Sequence, residues 1–313
     1  MPYTIFYDAY QEAVWFKNLS PYLKHASIKP INTATEPKLL SLLRYDKPDI
    51  ILFKDDLPVL SLEKTTEVPT GHNIGQRFGR IVCAAEEKVL GIYYGPFLAK
   101  KHGKYASKCW INVRQLDAML KLKKFHKVPS LAVNWECDQS GELIRDGSET
   151  KDLAILINDL IKSDWDYKIP KIKEIEKQMI DEIASGVRRY PRYKGSPNSA
   201  PIIKTNLYRS DPRLKKYKFP KAFTNRRESL RYVVGMKAGL RSDPFTGTQL
   251  VYDYLYCRIG PKKSDRSRNL VMEIPDLSVA AWKAVTNINR KDKRLLTLFP
   301  DLLLLKDGYT RIP

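Results

Sequence analysis

The stretch Pro48–Ile81, PDIILFKDDLPVLSLEKTTEVPTGHNIGQRFGRI, brings a strand pattern, acidic residues and a helix start together in order. Asp49 opens a short apolar run, Ile50–Phe53, that ends at Lys54 and a turn, Asp55-Asp56-Leu57-Pro58. A second run begins at Val59 and reaches Glu63, Lys64 and Glu67. Two β-rich runs separated by an acidic, proline-containing turn predict a hairpin. Side chains alternate along a strand, so Ser61, Glu63 and Thr65 share one face while Leu62, Lys64 and Thr66 share the other. The hairpin brings Asp49 and Glu63 to one end, where two carboxylates repel unless a divalent cation or a proton lies between them. Hard oxygen ligands suit Mg2+, and a metal so held orients a water and neutralises charge developing on a phosphate.

The flanks extend this pattern. Pro69-Thr70-Gly71 is a break, and Asn73–Glu86 predicts a helix with Ile74, Phe78, Ile81, Val82 and Ala85 at core spacing. Val89–Tyr94 is a third strand candidate. Upstream, Glu36–Arg44 predicts a helix with an early acid and a proline near its start. The resulting order is helix, strand, strand, helix, strand.

Pro48-Asp49, a spacer of thirteen residues and Glu63-Lys64 together resemble the signature of the PD-(D/E)XK nucleases, the core of many restriction endonucleases and DNA-repair nucleases. The family pattern is Pro-Asp, a variable spacer, an acid, any residue, then lysine. Here Thr65 stands two after Glu63, and Lys64 comes one position early. Three arrangements accommodate the departure: a bulge that returns Lys64 to the metal face, Lys54 in its place, or Thr65 in the slot. The resemblance implies an αββαβ core. It also implies that Asp49, Glu63 and the Lys64 carbonyl ligate Mg2+, that a lysine, best Lys64, activates the water or steadies the phosphate, and that Glu36 is an accessory acid. In such a family the helix after the hairpin carries polar residues toward the site, which brings in Gln76 and Arg77.

Composition narrows the partner. Fifty-five Lys and Arg against thirty-five Asp and Glu give a net charge of +20, an excess that solubility does not need and that points to a polyanion, most simply nucleic acid. No run approaches the length of a membrane span, and the N-terminus lacks the basic-then-apolar order of a signal peptide, so a cytoplasmic protein without membrane contact is expected. Four dispersed cysteines and four histidines indicate neither a zinc cluster nor a disulfide framework.

Along the rest of the chain, residues 1–30 predict an N-terminal helix over Asp8–Lys24, with Val14, Trp15 and Leu19 on its apolar side. Lys100-Lys101-His102-Gly103-Lys104 is basic, Asn112–Lys124 is helical in pattern, and Pro129–Glu136 is strand-like. Lys151–Lys162 and Lys171–Ser185 are amphipathic helices, the second closed by Gly186. Composition then changes: between Gly186 and Ser242 sixteen residues are Lys or Arg and only Asp211 and Glu228 are acidic, with seven Tyr and Phe interleaved. Basic residues suit phosphates, and rings pack on sugars or brace the loops that carry the arginines. From Asp243 onward globular composition returns, with Arg258, Lys262, Lys263, Arg266 and Arg268 available to bases.

These readings predict an α/β fold, a central mixed sheet flanked by helices over residues 1–185, followed by a basic, mostly α/loop recognition region over 186–313. The expected function is a Mg2+-dependent endodeoxyribonuclease, a type II restriction enzyme acting on double-stranded DNA as a homodimer, since cutting both strands of a palindrome takes two sites. Arg77, Lys101, Arg188, Arg189, Arg192, Lys194, Arg226, Arg227, Arg241, Lys262 and Lys263 are the candidate DNA contacts. A non-catalytic sequence-specific DNA-binding protein and a structure-specific repair nuclease are the alternatives.

Overall fold

The computed structural model of the chain describes residues 2–66, 68–69, 71–100, 107–191, 202–204, 219, 221–226, 228–233, 255, 257–284 and 299–311, with backbone alone at 71–76, 202–204, 222 and 311. The chain divides into two compact units, residues 1–194 and 195–313.

The first unit is a mixed α/β layer structure around a six-stranded sheet in the order β2-β1-β3-β4-β5-β8. Its strands are β1 (Tyr3–Tyr7), β2 (Ser27–Pro30), β3 (Ile50–Lys54), β4 (Leu57–Lys64), β5 (Leu90–Gly95) and β8 (Ser130–Asn134). A separate two-stranded ribbon, β6 (Leu98–Lys100) with β7 (Lys108–Trp110), lies between the last two in sequence. The expected hairpin is β3–β4, turned at Asp55, whose φ of 53° a short polar side chain tolerates. Pairing runs Ile50 to Leu62, Ile51 to Ser61 and Leu52 to Leu60, then slips so that Phe53 meets Pro58. The slip leaves Val59 over, at the place where Pro58 has no N–H for the ladder. Strands β4, β5 and β8 are parallel, and β5 is buried throughout, as a strand covered on both faces should be.

Helices cover both faces. Helix α2 (Pro37–Leu42) and helix α3 (Gly71–Glu86) join Phe6, Ile51 and Phe53 in one apolar cluster through Leu39, Leu42 and Ala84. Helix α1 (Tyr10–Asn18) packs on β1 and β3, and helix α5 (Lys151–Lys162) is tied to the turn after α1 by Ser20 Oγ donating to Asn158 Oδ1 at 2.7 Å. Helix α4 (Val113–His126) starts at Asn112, whose side chain accepts the Arg114 N–H at 3.0 Å. Helix α6 (Pro170–Arg189) packs on α4 and β8.

Three expectations change. Residues 1–30 hold a strand before the helix, because the β-branched and aromatic run Tyr3–Tyr7 pairs with both β2 and β3. The helix stops at Asn18, Ser20 caps a 3-10 turn beginning at Pro21, and of the side predicted to be apolar Val14 is exposed, Trp15 half-buried and Leu19 buried, with Ala13 and Phe16 buried beside them. Gly186 does not end α6. It is buried inside the helix, where a Cβ would stand 2.1 Å from a γ-methyl of Val113, so its role is close helix packing.

The second unit, where described, is built on a sheet rather than on helices and loops. Strands β9 (Ile202–Lys204), β10 (Glu228–Val233), β11 (Asn269–Ile274), β12 (Leu302–Leu305) and β13 (Gly308–Arg311) form a mixed five-stranded sheet, and β11 and β12 are buried along their whole length. Continuous apolar runs such as Leu302–Leu305 carry no alternation, which is why periodicity did not mark them as strands.

Candidate functional site

The open end of the β3–β4 hairpin gathers the acids. Asp49 precedes β3 and Glu63 lies next to last in β4, and the Ile51–Ser61 pairing puts both on the face toward α3. Arg80 of α3 is 4% exposed and meets both: its Nη1 pairs with Glu63 Oε2 and lies 3.4 Å from Asp49 Oδ1. The opposite edge of the same guanidinium, Nε and Nη2, donates to Asp46 Oδ2 at 3.0 and 2.9 Å. Arg77, one turn earlier, brings Nε to 3.0 Å from Glu63 Oε1 and donates from Nη1 to Thr65 Oγ1 at 2.7 Å. Asp49 Oδ2 accepts the Lys64 backbone N–H at 2.7 Å, which fixes its carboxyl against the strand end.

Burial pushes the Glu63 carboxyl up to about 8, and the neighbouring Asp49 adds to this against the pull of Arg80 and Arg77. Asp49 is raised as well, again by burial first, with Arg80 and the Lys64 amide opposing. For Arg80, burial is outweighed by Glu63, Asp46 and Asp49 together, and its pKa rises. Glu12 of α1 joins this field: burial raises its carboxyl, Asp49 raises it further, and Lys64 opposes. Glu63 Oε1 is buried and accepts no aligned hydrogen bond, although Arg77 Nε stands close by.

This donor set fits a hard divalent cation. Two carboxylates converge on one position already favourable to positive charge, and one buried oxygen has unspent acceptor capacity. No group of three or more His, Cys, Asp and Glu side chains able to hold a metal occurs among the described residues.

The lysine expected at the pair is elsewhere. Alternation prevails at Lys64: its backbone serves Asp49, while its ammonium lies 4.5 Å from the ring centroid of Trp15 and 5.8 Å from that of Trp135, on the face opposite Glu63. The bulge in the hairpin is at Leu52–Phe53, too far along to turn Lys64 over, and β4 stays in register with β5 through Lys64–Tyr94. Lys54 pairs with Asp164 at the other end of the hairpin. Thr65 occupies the slot, buried, with Arg77 as its partner. Glu36, at the N-cap position of α2, pairs with Lys29 and accepts the Thr35 N–H, away from the carboxylate pair. Gln76 lies in α3 with its side chain outside the described residues.

Nothing in the sequence places Arg80, Asp46, Glu12 or the rings of Trp15 and Trp135 at the site directly. The one available signal was the i, i+3 spacing of Arg77 and Arg80, which places both on one side of the helix that follows the hairpin.

Of the proposed DNA contacts, Lys101, Arg192, Lys194, Arg227 and Arg241 lie outside the described residues. Arg188 and Lys262 are exposed. Arg189 stacks 3.7 Å over Trp110 and donates to Ser185 Oγ at 2.7 Å. Arg226 is a framework residue rather than a surface contact: it donates to Asn269 Oδ1, Asp301 Oδ1 and the Ser264 carbonyl at 2.8, 2.9 and 2.8 Å. Arg258 and Arg266 are buried, and Arg268 pairs with Glu228, so none of these is presented to bases. Lys263 is half-buried. No helix among the described residues is long and apolar enough to cross a membrane. Comparison of the chain with protein-family models, with curated proteins and with solved structures gives no match.

Proposed function

We propose that this protein is a divalent-cation-dependent nuclease that hydrolyses phosphodiester bonds of double-stranded DNA, in the manner of a type II restriction endonuclease acting as a homodimer. The observation that carries the reading is the convergence of Asp49 and Glu63 on one nitrogen of Arg80, at the end of a hairpin in a chain of net charge +20. Asp49 and Glu63 would hold the Mg2+, with the Lys64 carbonyl as a third ligand, and the ion when bound supplies water orientation and charge neutralisation at the phosphate. Arg77, oriented by Thr65 and Glu63 and about one-quarter exposed, brings a second guanidinium beside the pair, of the kind that suits a phosphate. Lys64 and Glu12 set the potential beside Asp49, and the Lys64 amide fixes that carboxyl.

The test is plasmid cleavage in Mg2+ by the wild-type chain, Asp49→Ala and Glu63→Ala, with DNA retention followed by gel shift. Loss of cleavage with binding retained supports the assignment, and unchanged cleavage by either variant defeats it. A second reading, a non-catalytic DNA-binding protein, is favoured by one observation, the guanidinium between the carboxylates together with threonine in the lysine slot. It predicts that plasmid stays intact with the wild-type chain at every Mg2+ concentration.

A further inference from the structure

We propose that Arg80 is the resident counter-cation of the Asp49–Glu63 pair, that a divalent ion enters by exchange with its Nη1, and that Asp46 keeps the guanidinium tethered during the exchange. The inference rests on the cation reading of this pair and adds a device that controls its occupancy.

The guanidinium is gripped at two edges. Nη1 alone holds Glu63 and Asp49, whereas Nε and Nη2 both belong to Asp46. A metal bridging Asp49 Oδ1 and Glu63 Oε2 and the Nη1 of Arg80 compete for one position, because Nη1 already stands between those two oxygens and two cations cannot share that space. Releasing the Nη1 edge leaves the Asp46 edge intact, so the displaced arginine retains a carboxylate partner and is not left as an unpaired buried charge, the costly alternative. Three carboxylates share Arg80, one more than the pair itself requires, and Asp46 is the surplus acid. Arg77 stays on Glu63 Oε1 and Thr65 in either state.

The mechanism predicts shifts of opposite sign from two neighbouring substitutions. Arg80→Met removes the competitor and should tighten metal binding tenfold or more, equivalent to about 1.4 kcal/mol. Asp46→Asn removes the tether, leaves Arg80 dependent on the pair, and should weaken metal binding severalfold. General loosening of the fold would move both in the same direction. The experiment is titration of the full-length chain with Mn2+, bound and free ion being separated by electron paramagnetic resonance, with Asp49→Asn/Glu63→Gln as the control that abolishes the site. Opposite shifts support the exchange. Equal Mn2+ affinity in wild type, Arg80→Met and Asp46→Asn overturns the exchange but leaves the cation reading standing. Absence of binding by every chain, Arg80→Met included, overturns both. Should Arg80→Met not fold, Asp46→Asn decides alone: affinity unchanged or increased overturns the proposal.

Discussion

Gly91 and Gly95 lie four residues apart in the same buried strand, and substituting each with alanine should have very different consequences. A Cβ at Gly95 would stand 2.5 Å from the Thr65 γ-methyl, 2.6 Å from the Tyr93 hydroxyl and 2.8 Å from its ring. Ordinary contact begins near 3.4 Å, so two buried neighbours must each move by most of an ångström. Neither yields easily: Thr65 is β-branched with a stiff χ1, and Tyr93 is 1% exposed. Overpacking of this kind costs about 1–3 kcal/mol, and two displaced groups put Gly95→Ala at the upper end. At Gly91 the new methyl meets Ile81 Cγ2 at 3.4 Å and the Ala84 methyl at 3.6 Å, which is normal packing. Gly91→Ala should therefore be neutral or stabilising by up to ~1 kcal/mol through the unfolded chain. Strand propensity is common to both sites and cancels in the comparison. Urea unfolding followed by tryptophan fluorescence measures the difference, expected at about 2–4 kcal/mol. Equal midpoints would refute the steric account. Because Thr65 holds Arg77, which holds Glu63, Gly95→Ala should also lower cleavage, while Gly91→Ala should not.

The folded Glu63 carboxyl sits near 8 against an ordinary value of 4.5, so between these values the folded chain keeps a proton that the unfolded chain has lost. Stability of the metal-free protein is thus greatest below that window and falls as pH rises through it, by at most about 1.4 kcal/mol per pH unit. Glu63→Gln should flatten the curve in urea midpoints taken from about pH 5 to 8. Lys64→Met should cost about 0.5–2 kcal/mol of ring contact and leave cleavage within about tenfold, whereas Arg77→Met should reduce it about a hundredfold, as initial rates on plasmid will show. Arg226→Lys should destabilise the second unit by about 1–3 kcal/mol, because one ammonium cannot replace the fork that serves Asn269, Asp301 and Ser264, and should leave the salt dependence of DNA affinity unchanged. Arg188→Ala should instead lower the slope of that dependence by about one.

Local signals carried much of the first unit. The hairpin, α3 and the helix Lys151–Lys162 were legible because alternation, core spacing and turn residues act over a few positions. Lys64 is instructive, since alternation alone placed it opposite Glu63 and only the family resemblance argued for bringing it back. Arg80 was not legible, because its partners Asp46, Asp49 and Glu63 belong to a loop, a strand start and a strand end that meet only after the sheet forms. The strand Tyr3–Tyr7 was lost for the same reason: its ladder partners come from Ser27–Pro30 and Ile50–Lys54.

The second unit shows what net charge can and cannot say about a polyanion partner. Internal ion pairs leave the total unchanged, because pairing neither adds nor removes formal charge. Asp301 binds both Arg226 and Arg266, Glu228 takes Arg268, and Glu273 takes Arg231. The net charge of +20 is therefore the same with these pairs formed, while Arg226 and Arg231 are turned to Asp301 and Glu273 within the unit. Pairing with Asp301 also spares Arg226 and Arg266 the penalty of unpaired burial, which makes them parts of the scaffold. On the proposed reading, attraction and contact would fall to different residues: net charge draws the polyanion, and among the described residues exposed side chains such as Arg188 and Lys262 would meet it.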